Sequence, residues 1–159
     1  MNTYLFVKTL HILSSVLMVG MACGSGFYLF FVNRTKSVPV IAAVCRLVAR
    51  ADLWLSTPAA IFQPLSGIWL MYLNGWSWDT PWILASLALY VIAVLFWLPA
   101  MWLVIQMRRI AAEAAAQEHD TLPPIYWRYA RLWECHLGCP GFLAMVAIYF
   151  LMVPKPTFS

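Results

Sequence analysis

A histidine inside an apolar stretch is the residue of this sequence best suited to chemistry. His11 is flanked by Leu10 and Ile12, and no charged residue occurs between Thr9 and Val32. A neutral imidazole can bind haem iron or another metal without bringing a charge into a membrane. Met18, seven residues further on, shares the same helical face and could supply a sulfur ligand. The alternative is a histidine near the membrane surface that is hydrogen-bonded to serine or backbone groups.

A second histidine, His136, lies between Cys135 and Cys139 at the start of a later apolar run. We include it as a candidate cofactor-binding residue, and the two cysteines suggest a metal site as an alternative. The order Cys-His-Leu-Gly-Cys differs from the Cys-x-x-Cys-His motif of covalent haem attachment. Straight helices would place His11 about 9 Å and His136 about 25 Å from the same membrane face. We therefore expect the second iron ligand to come from another helix, or the sixth position to be open.

Two glycines of the same apolar run, Gly20 and Gly24, are further candidates for the cofactor site. Their small-x-x-x-small spacing lets membrane helices approach each other closely. The same glycines would also leave room for a flat macrocycle. The sequence leaves both interpretations open.

The elements that position these residues are four apolar runs. The chain is 64% apolar and 10% charged, whereas a soluble domain is about 45–50% apolar and about 25% charged. Each membrane-crossing helix needs about 20 apolar residues, and the predicted spans are about 5–32, 53–73, 82–107 and 133–153. We therefore predict an all-α fold, an antiparallel four-helix bundle with short interfacial amphipathic helical extensions. Residues 1–159 form a single transmembrane domain in this prediction.

Proline interrupts the second predicted span at Pro58 and Pro64. A proline inside a membrane helix frees a backbone carbonyl, and this is tolerated only where a neighbouring group satisfies it. We therefore expect an irregular second helix. No catalytic triad, P-loop or dinucleotide fingerprint occurs in the chain, so hydrolysis and phosphoryl transfer have no support from the sequence.

The basic residues predict how the chain lies in the membrane. Eight of the ten lysines and arginines follow the first and third spans: Arg34, Lys36, Arg46, Arg50, Arg108, Arg109, Arg128 and Arg131. The positive-inside rule then places both termini in the periplasm and both basic connections in the cytoplasm. The net charge of +4 therefore reports topology and does not indicate nucleic-acid binding.

Several segments resemble a group of small four-helix bacterial inner-membrane proteins. These segments are YLFVKTLHIL at 4–13, Gly20, FYLFF at 27–31, and the proline and glycine positions of 58–67. The group is related to the haem-linked membrane protoporphyrinogen oxidase and to the membrane domain of copper-resistance proteins. GCPGFLA at 138–144 and YFLMVPKP at 149–156 are most similar to a branch of predicted integral membrane proteins of unknown function. The resemblance implies haem b linked to His11. The third span here lacks the basic residue that the oxidases keep there.

These observations predict a multi-pass protein of the bacterial inner membrane that binds haem b and acts in redox or tetrapyrrole chemistry. If it is an enzyme, it would be an oxidoreductase of the protoporphyrinogen-oxidase type. Arg46 or Arg50 would bind the haem propionates if the site reaches the inner membrane face. One alternative is an accessory or assembly subunit of a larger membrane complex, and another is copper handling through His11 and Met18. The expected partners are the lipid bilayer and a further membrane protein or a second copy of the chain.

Overall fold

The chain folds into helices throughout the residues that the structure describes. The computed structural model describes residues 2–154, without the side chains of 136–138. The elements follow in the order α1 Thr3–Thr35, α2 Val38–Ala51, the first π turn Asp52–Ser56, α3 Thr57–Leu73, α4 Pro81–Ala116, α5 Pro124–Leu132, the second π turn Trp133–Leu137 and α6 Gly138–Met152. No strand occurs between residues 2 and 154, and the prediction of an all-α fold is confirmed.

Local signals in the sequence set the helix ends. The side chain of Asn2 caps α1 by accepting a hydrogen bond from the backbone N–H of Tyr4 at 3.2 Å. The helix ends at Lys36, which adopts a left-handed conformation with φ of 54°. A proline lies in the first turn of α2, α4 and α5, where its missing N–H costs no helical hydrogen bond. The breaks between helical segments are short, at 36–37, 74–80 and 117–123, and the chain reverses direction at each of them.

Four continuous helical rods result, because α2 passes into α3 and α5 into α6 through the π turns. Ala51 and Thr57, on either side of the first π turn, both keep right-handed helical angles. Pro58 and Pro140 follow the two turns closely. A proline ring crowds the carbonyl four residues earlier, and a widened turn relieves that crowding. The predicted antiparallel four-helix bundle is confirmed, and its amphipathic segments are extensions of the apolar helices.

The bundle has two different ends. We call the end with Thr35, Val38, Ala116 and Pro124 the basic end, and the end with Thr3, Leu73, Pro81 and Met152 the open end. At 1.5 Å per residue the 33 residues of α1 extend about 50 Å, which exceeds the roughly 30 Å of a bilayer's hydrocarbon core. The helices therefore continue beyond one membrane thickness.

Three helices are long and apolar enough to cross a membrane: Thr3–Thr35, Pro81–Ala116 and Pro124–Met152. The second apolar run of the sequence, 53–73, lies in the first π turn and α3. Since α3 itself has 17 residues, this run depends on the π turn to reach the length of a span.

A tightly packed core fills the basic end. It joins the C-terminal part of α1 to α2, α4 and α5. Its buried residues are Leu29, Val32, Val38, Ile41, Ala42, Cys45, Val48, Ala49, Val104, Met107, Ala111, Ala114, Leu122, Tyr126 and Ala130. Five of these are alanines, which let the helices approach closely around the larger Tyr126 and Met107. The packing gives this end a closed interior, unlike the open end.

The proline inside α3 is accommodated as the sequence predicts. Pro64 has no N–H, so it leaves the carbonyl of Ala60, one turn earlier, without its usual helical donor. The hydroxyl of Tyr90 on α4 donates a hydrogen bond to that carbonyl. The expectation that a neighbouring group satisfies the freed carbonyl is confirmed, and Tyr90 links α4 to α3.

The remaining contacts pair the helices at the open end. There α1 packs against α3, and α4 packs against α6. Gly141 of α6 faces α4 so closely that a Cβ atom at this position would lie 3.4 Å from Cβ of Phe96 and 3.5 Å from the carbonyl oxygen of Ala93. The two pairs leave a space between them that contains the candidate site.

Candidate functional site

A cavity of about 600 Å³ lies among α1, α3, α4 and α6 at the open end. Its wall is mostly apolar, with a small number of polar side chains that include Lys8, His11, Gln63 and Tyr90. Three tryptophans of the loop 74–80 and the start of α4 lie around it: Trp76, Trp78 and Trp82. Cofactor and small-molecule sites have this size and composition, typically about 300–1,000 Å³ with few, well-placed polar groups.

His11 is the buried polar group of the α1 wall, with 8% of its surface exposed. Its Nδ1 lies 2.7 Å from Oγ of Ser66 on α3, and its Nε2 lies 3.3 Å from the amide nitrogen Nε2 of Gln63. With the Gln63 amide oriented as in this structure, its nitrogen donates, which makes Nε2 of His11 the acceptor and assigns the ring proton to Nδ1. Ser66 accepts that proton and donates its own to the carbonyl of Phe62 at 2.8 Å.

Gln63 is held from its other side as well. The hydroxyl of Ser14 donates to Oε1 of Gln63 and also lies 2.9 Å from the carbonyl oxygen of His11. Each polar side-chain atom of this group has at least one partner with the imidazole neutral. Among residues 2–154, excluding the side chains not described, no buried side-chain nitrogen or oxygen lacks a hydrogen-bond partner.

A glycine on α3 makes room for the imidazole ring. A Cβ atom at Gly67 would lie 3.4 Å from Cε1 of His11, at the short end of van der Waals contact. Gly67 therefore lies directly against the ring, and a side chain larger than a methyl group would have to displace it.

The structure brings together some of the residues that the sequence singles out. Met18 is buried and lines the same cavity as His11. Gly20 and Gly24 do not line it, and a Cβ atom at either would meet nothing within 4 Å. Neither glycine therefore lies in a close helix contact within this chain, and a role for them at a cofactor stays a prediction.

The side chain of His136 lies outside the described residues. Its backbone belongs to the second π turn, whose Trp133 lies 3.8 Å from the Cβ position of Gly26 on α1. Gly26 is about 22 Å along α1 from His11. Arg46 and Arg50 belong to α2 and do not line the cavity. A haem in this cavity would therefore not have its propionates bound by either arginine. The basic residue on the wall is Lys8.

The sequence analysis missed a second buried polar group, at the first π turn. Asp52 is 8% exposed, and its Oδ1 accepts hydrogen bonds from Ser56 at 3.2 Å and from Ser25 of α1 at 3.4 Å. The signal was the spacing of Asp52 and Ser56, four residues apart on one helical face. It is obscured because Asp52 directly follows the segment that contains Arg46 and Arg50, whose charges are typical of a membrane surface.

A third polar group lies at the basic end. The hydroxyl of Tyr126 donates to Oδ1 of Asn33 at 2.7 Å, and Nδ2 of Asn33 donates to Oε1 of Glu134 at 3.3 Å. Sγ of Cys45 lies 3.5 Å from the Tyr126 hydroxyl, and burial raises the pKa of the Cys45 thiol. This group links α1, α2 and the second π turn, and we interpret it as structural.

The cysteines and the other metal-binding side chains form no further centre in the described part of the chain. Cys23, Cys45, Cys135 and Cys139 are free thiols, and Sγ of Cys139 donates to the carbonyl of Glu134 at 3.9 Å. The described residues contain no group of three or more His, Cys, Asp or Glu side chains that could hold a metal ion. A metal at His11 therefore needs ligands of another kind, such as a macrocycle.

Comparison with known proteins gives a family but no characterised relative. Residues 5–156 match the model of a family described as predicted integral membrane protein (DUF2269). No curated protein and no solved structure matches the chain. The match covers nearly the whole chain and includes every wall of the cavity.

Proposed function

The chain belongs to the DUF2269 family of predicted integral membrane proteins, and from that premise we propose that it binds haem b in the open-end cavity through His11. The observation that carries the proposal is a neutral histidine in an apolar cavity of about 600 Å³, with its Nδ1 proton donated to Ser66. We further propose a bacterial inner membrane location and a redox role, in electron transfer or tetrapyrrole chemistry.

The donor set fits a haem iron. Histidines that bind metals usually donate their other ring N–H to a fixed acceptor, which orients the ring and makes the ligating nitrogen more basic. Ser66 provides this acceptor to His11, and the lone pair of Nε2 points toward Gln63, which lines the cavity with His11. Met18 lines the same cavity and would pack its thioether against the group, while a second iron ligand from another helix, or an open sixth position, stays a prediction.

The walls also fit the periphery of the group. A b-type haem is a largely apolar macrocycle with two carboxylates at one edge, so its site needs apolar walls and a cation near the mouth. Lys8 lies three residues before His11 and therefore on a neighbouring position of the same α1 face. When bound, haem supplies one-electron chemistry that the side chains of this chain lack.

A reduced-minus-oxidised absorbance spectrum of the purified protein tests the proposal. We expect full-length protein, expressed with ample haem supply, to carry a Soret band and to contain iron in a ratio of about one per chain. His11→Ala should abolish the band while the protein remains in the membrane. The matched control is His119→Ala, because His119 is an exposed histidine of the 117–123 loop.

Three results would contradict the proposal. A colourless wild-type protein would favour the accessory-subunit alternative, and stoichiometric copper without iron would favour copper handling through His11 and Met18. Equal bands in His11→Ala and His119→Ala would show that haem binds elsewhere.

A further inference from the structure

We propose that Gln63 is an internal competitor for the lone pair of His11 and makes the cavity selective for ligands that carry a metal. The inference rests on the proposed function, since it concerns how the same site takes a metal-containing macrocycle. Its starting point is the hydrogen bond from Nε2 of Gln63 to Nε2 of His11, at 3.3 Å.

The nitrogen that would bind a metal is the one that Gln63 occupies. Nδ1 of His11 is committed to Ser66 at 2.7 Å, so Nε2 is the atom left to coordinate. A metal must therefore displace the Gln63 amide before it can bind. The bond that is lost is a neutral one at 3.3 Å, near the long end of the normal range, whereas the Ser66 bond can persist in the bound state.

Gln63 can be displaced without leaving its neighbours unpaired. Ser14, which donates to Oε1 of Gln63, also lies 2.9 Å from the carbonyl oxygen of His11 and can donate there instead. The released amide faces the cavity, whose lining includes both Gln63 and the hydroxyl-bearing Ser15. Without a ligand, Gln63 therefore occupies Nε2 of His11, and it can leave this nitrogen at the cost of one weak hydrogen bond.

Selectivity follows from the interaction with Nε2 of His11 that each ligand forms in place of the Gln63 hydrogen bond. A metal coordinates Nε2 and more than replaces the amide, whereas a porphyrin without a metal offers the imidazole nothing and leaves Gln63 in place. Removing the amide should therefore strengthen binding of the metallated ligand alone. A net hydrogen bond is worth about 0.5–1.5 kcal/mol, so haem affinity should rise about 2- to 10-fold.

The experiment titrates full-length protein in detergent with haem b and with the same porphyrin lacking iron, followed by absorbance. The variants are Gln63→Leu and Gln63→Asn. Asparagine keeps the amide but is shorter by one C–C bond, about 1.5 Å, and cannot span the gap to His11. The matched control is Gln106→Leu, because Gln106 is a partly buried glutamine of α4 that does not line the cavity.

We expect both Gln63 variants to bind haem more tightly, to bind the metal-free porphyrin as the wild type does, and to melt at a lower temperature when ligand-free. Gln106→Leu should leave both affinities unchanged. If the wild type binds haem and neither Gln63 variant binds it more tightly, the competitor role is wrong and the proposed function stands. Equal tightening of both porphyrins would also overturn it, since Gln63 would then exclude ligands by volume. If neither the wild type nor any variant binds haem, the proposed function and this inference fail together.

Discussion

At the scale of single residues, the candidate site depends on which atom of His11 is already engaged. Ser66 fixes the ring through Nδ1, and Gln63 contacts the nitrogen that could coordinate a metal. The imidazole of His11 is therefore fully hydrogen-bonded in the absence of a ligand, and Nε2 is the atom that a ligand would compete for. Of the two interpretations that the sequence left open, the structure shows the hydrogen-bonded histidine, and under the proposed function the metal ligand would be a second state of the same residue.

Removing the serine should destabilise the site in both states. Ser66→Ala leaves the Nδ1 proton of a buried imidazole without an acceptor, at a cost of about 1–3 kcal/mol. We expect a lower melting temperature for the ligand-free protein and weaker haem binding.

Ser86→Ala is the matched control for this substitution. Ser86 also lines the cavity, but its hydroxyl donates to the carbonyl of Trp82 in its own helix, so its loss should change stability little. Equal melting temperatures for Ser66→Ala and Ser86→Ala would show that Ser66 does not hold the histidine.

At the scale of helices, glycine has opposite roles in two places. Gly141 lies at the contact of α6 with α4, where a Cβ atom would already be 3.4 Å from Phe96, whereas Gly20 of α1 faces open space. Identical substitutions at the two positions therefore separate helix packing from helix propensity. Gly141→Val should destabilise the protein by about 1–3 kcal/mol through overpacking, and Gly20→Val should be nearly neutral.

Thermal melting in detergent, followed by circular dichroism, measures both variants against the wild type. If Gly20→Val proves as destabilising as Gly141→Val, then Gly20 packs against something that this single chain does not contain.

The helices and their order could be predicted from the sequence. The contacts between the helices could be predicted only in part. Apolar runs and proline positions set the helix limits, and Pro64 even predicts that the Ala60 carbonyl needs a donor. They do not predict that Tyr90 provides it, because the choice depends on how far α4 is rotated about its axis. The same rotation of α1 decides that Met18 faces the cavity and that Gly20 and Gly24 do not.

The site partner of His11 was missed for a related reason. Gln63 lies beside Pro64 in an apolar run, and nothing in its spacing links it to a residue 52 positions earlier. The pairing of α1 with α3 makes that link. Asp52 was missed because it directly follows a segment with two arginines, which predicts a surface position. The helix continues through the π turn and buries Asp52 against α1 instead.

At the scale of the whole molecule, the tightly packed core and the cavity occupy opposite ends of the bundle. The basic connections lie at the end with the core, and the tryptophans lie around the cavity. For the proposed location in a bacterial inner membrane, the positive-inside rule predicts that the cavity opens toward the periplasm.

Reporter fusions test this orientation. Reporters fused after Ser159 or inserted near Trp76 should be active in the periplasm, and one inserted near Gln117 should be active in the cytoplasm. Each insertion lies in a connection or at the terminus, so the helices remain intact. A cytoplasmic signal from the Ser159 fusion would reverse the orientation and place the cavity at the inner face.

The hydroxyl of Tyr90 joins the two helix pairs at the cavity, and this has a kinetic consequence. Any movement that separates α1 with α3 from α4 with α6 at this level breaks the bond to Ala60. Pro64 leaves the Ala60 carbonyl without another donor, and an unpartnered backbone group in hydrocarbon is costly. The separated arrangement is therefore costly and short-lived. We expect a molecule that passes between the two helix pairs to exchange slowly, so that its residence time exceeds what its affinity alone would give.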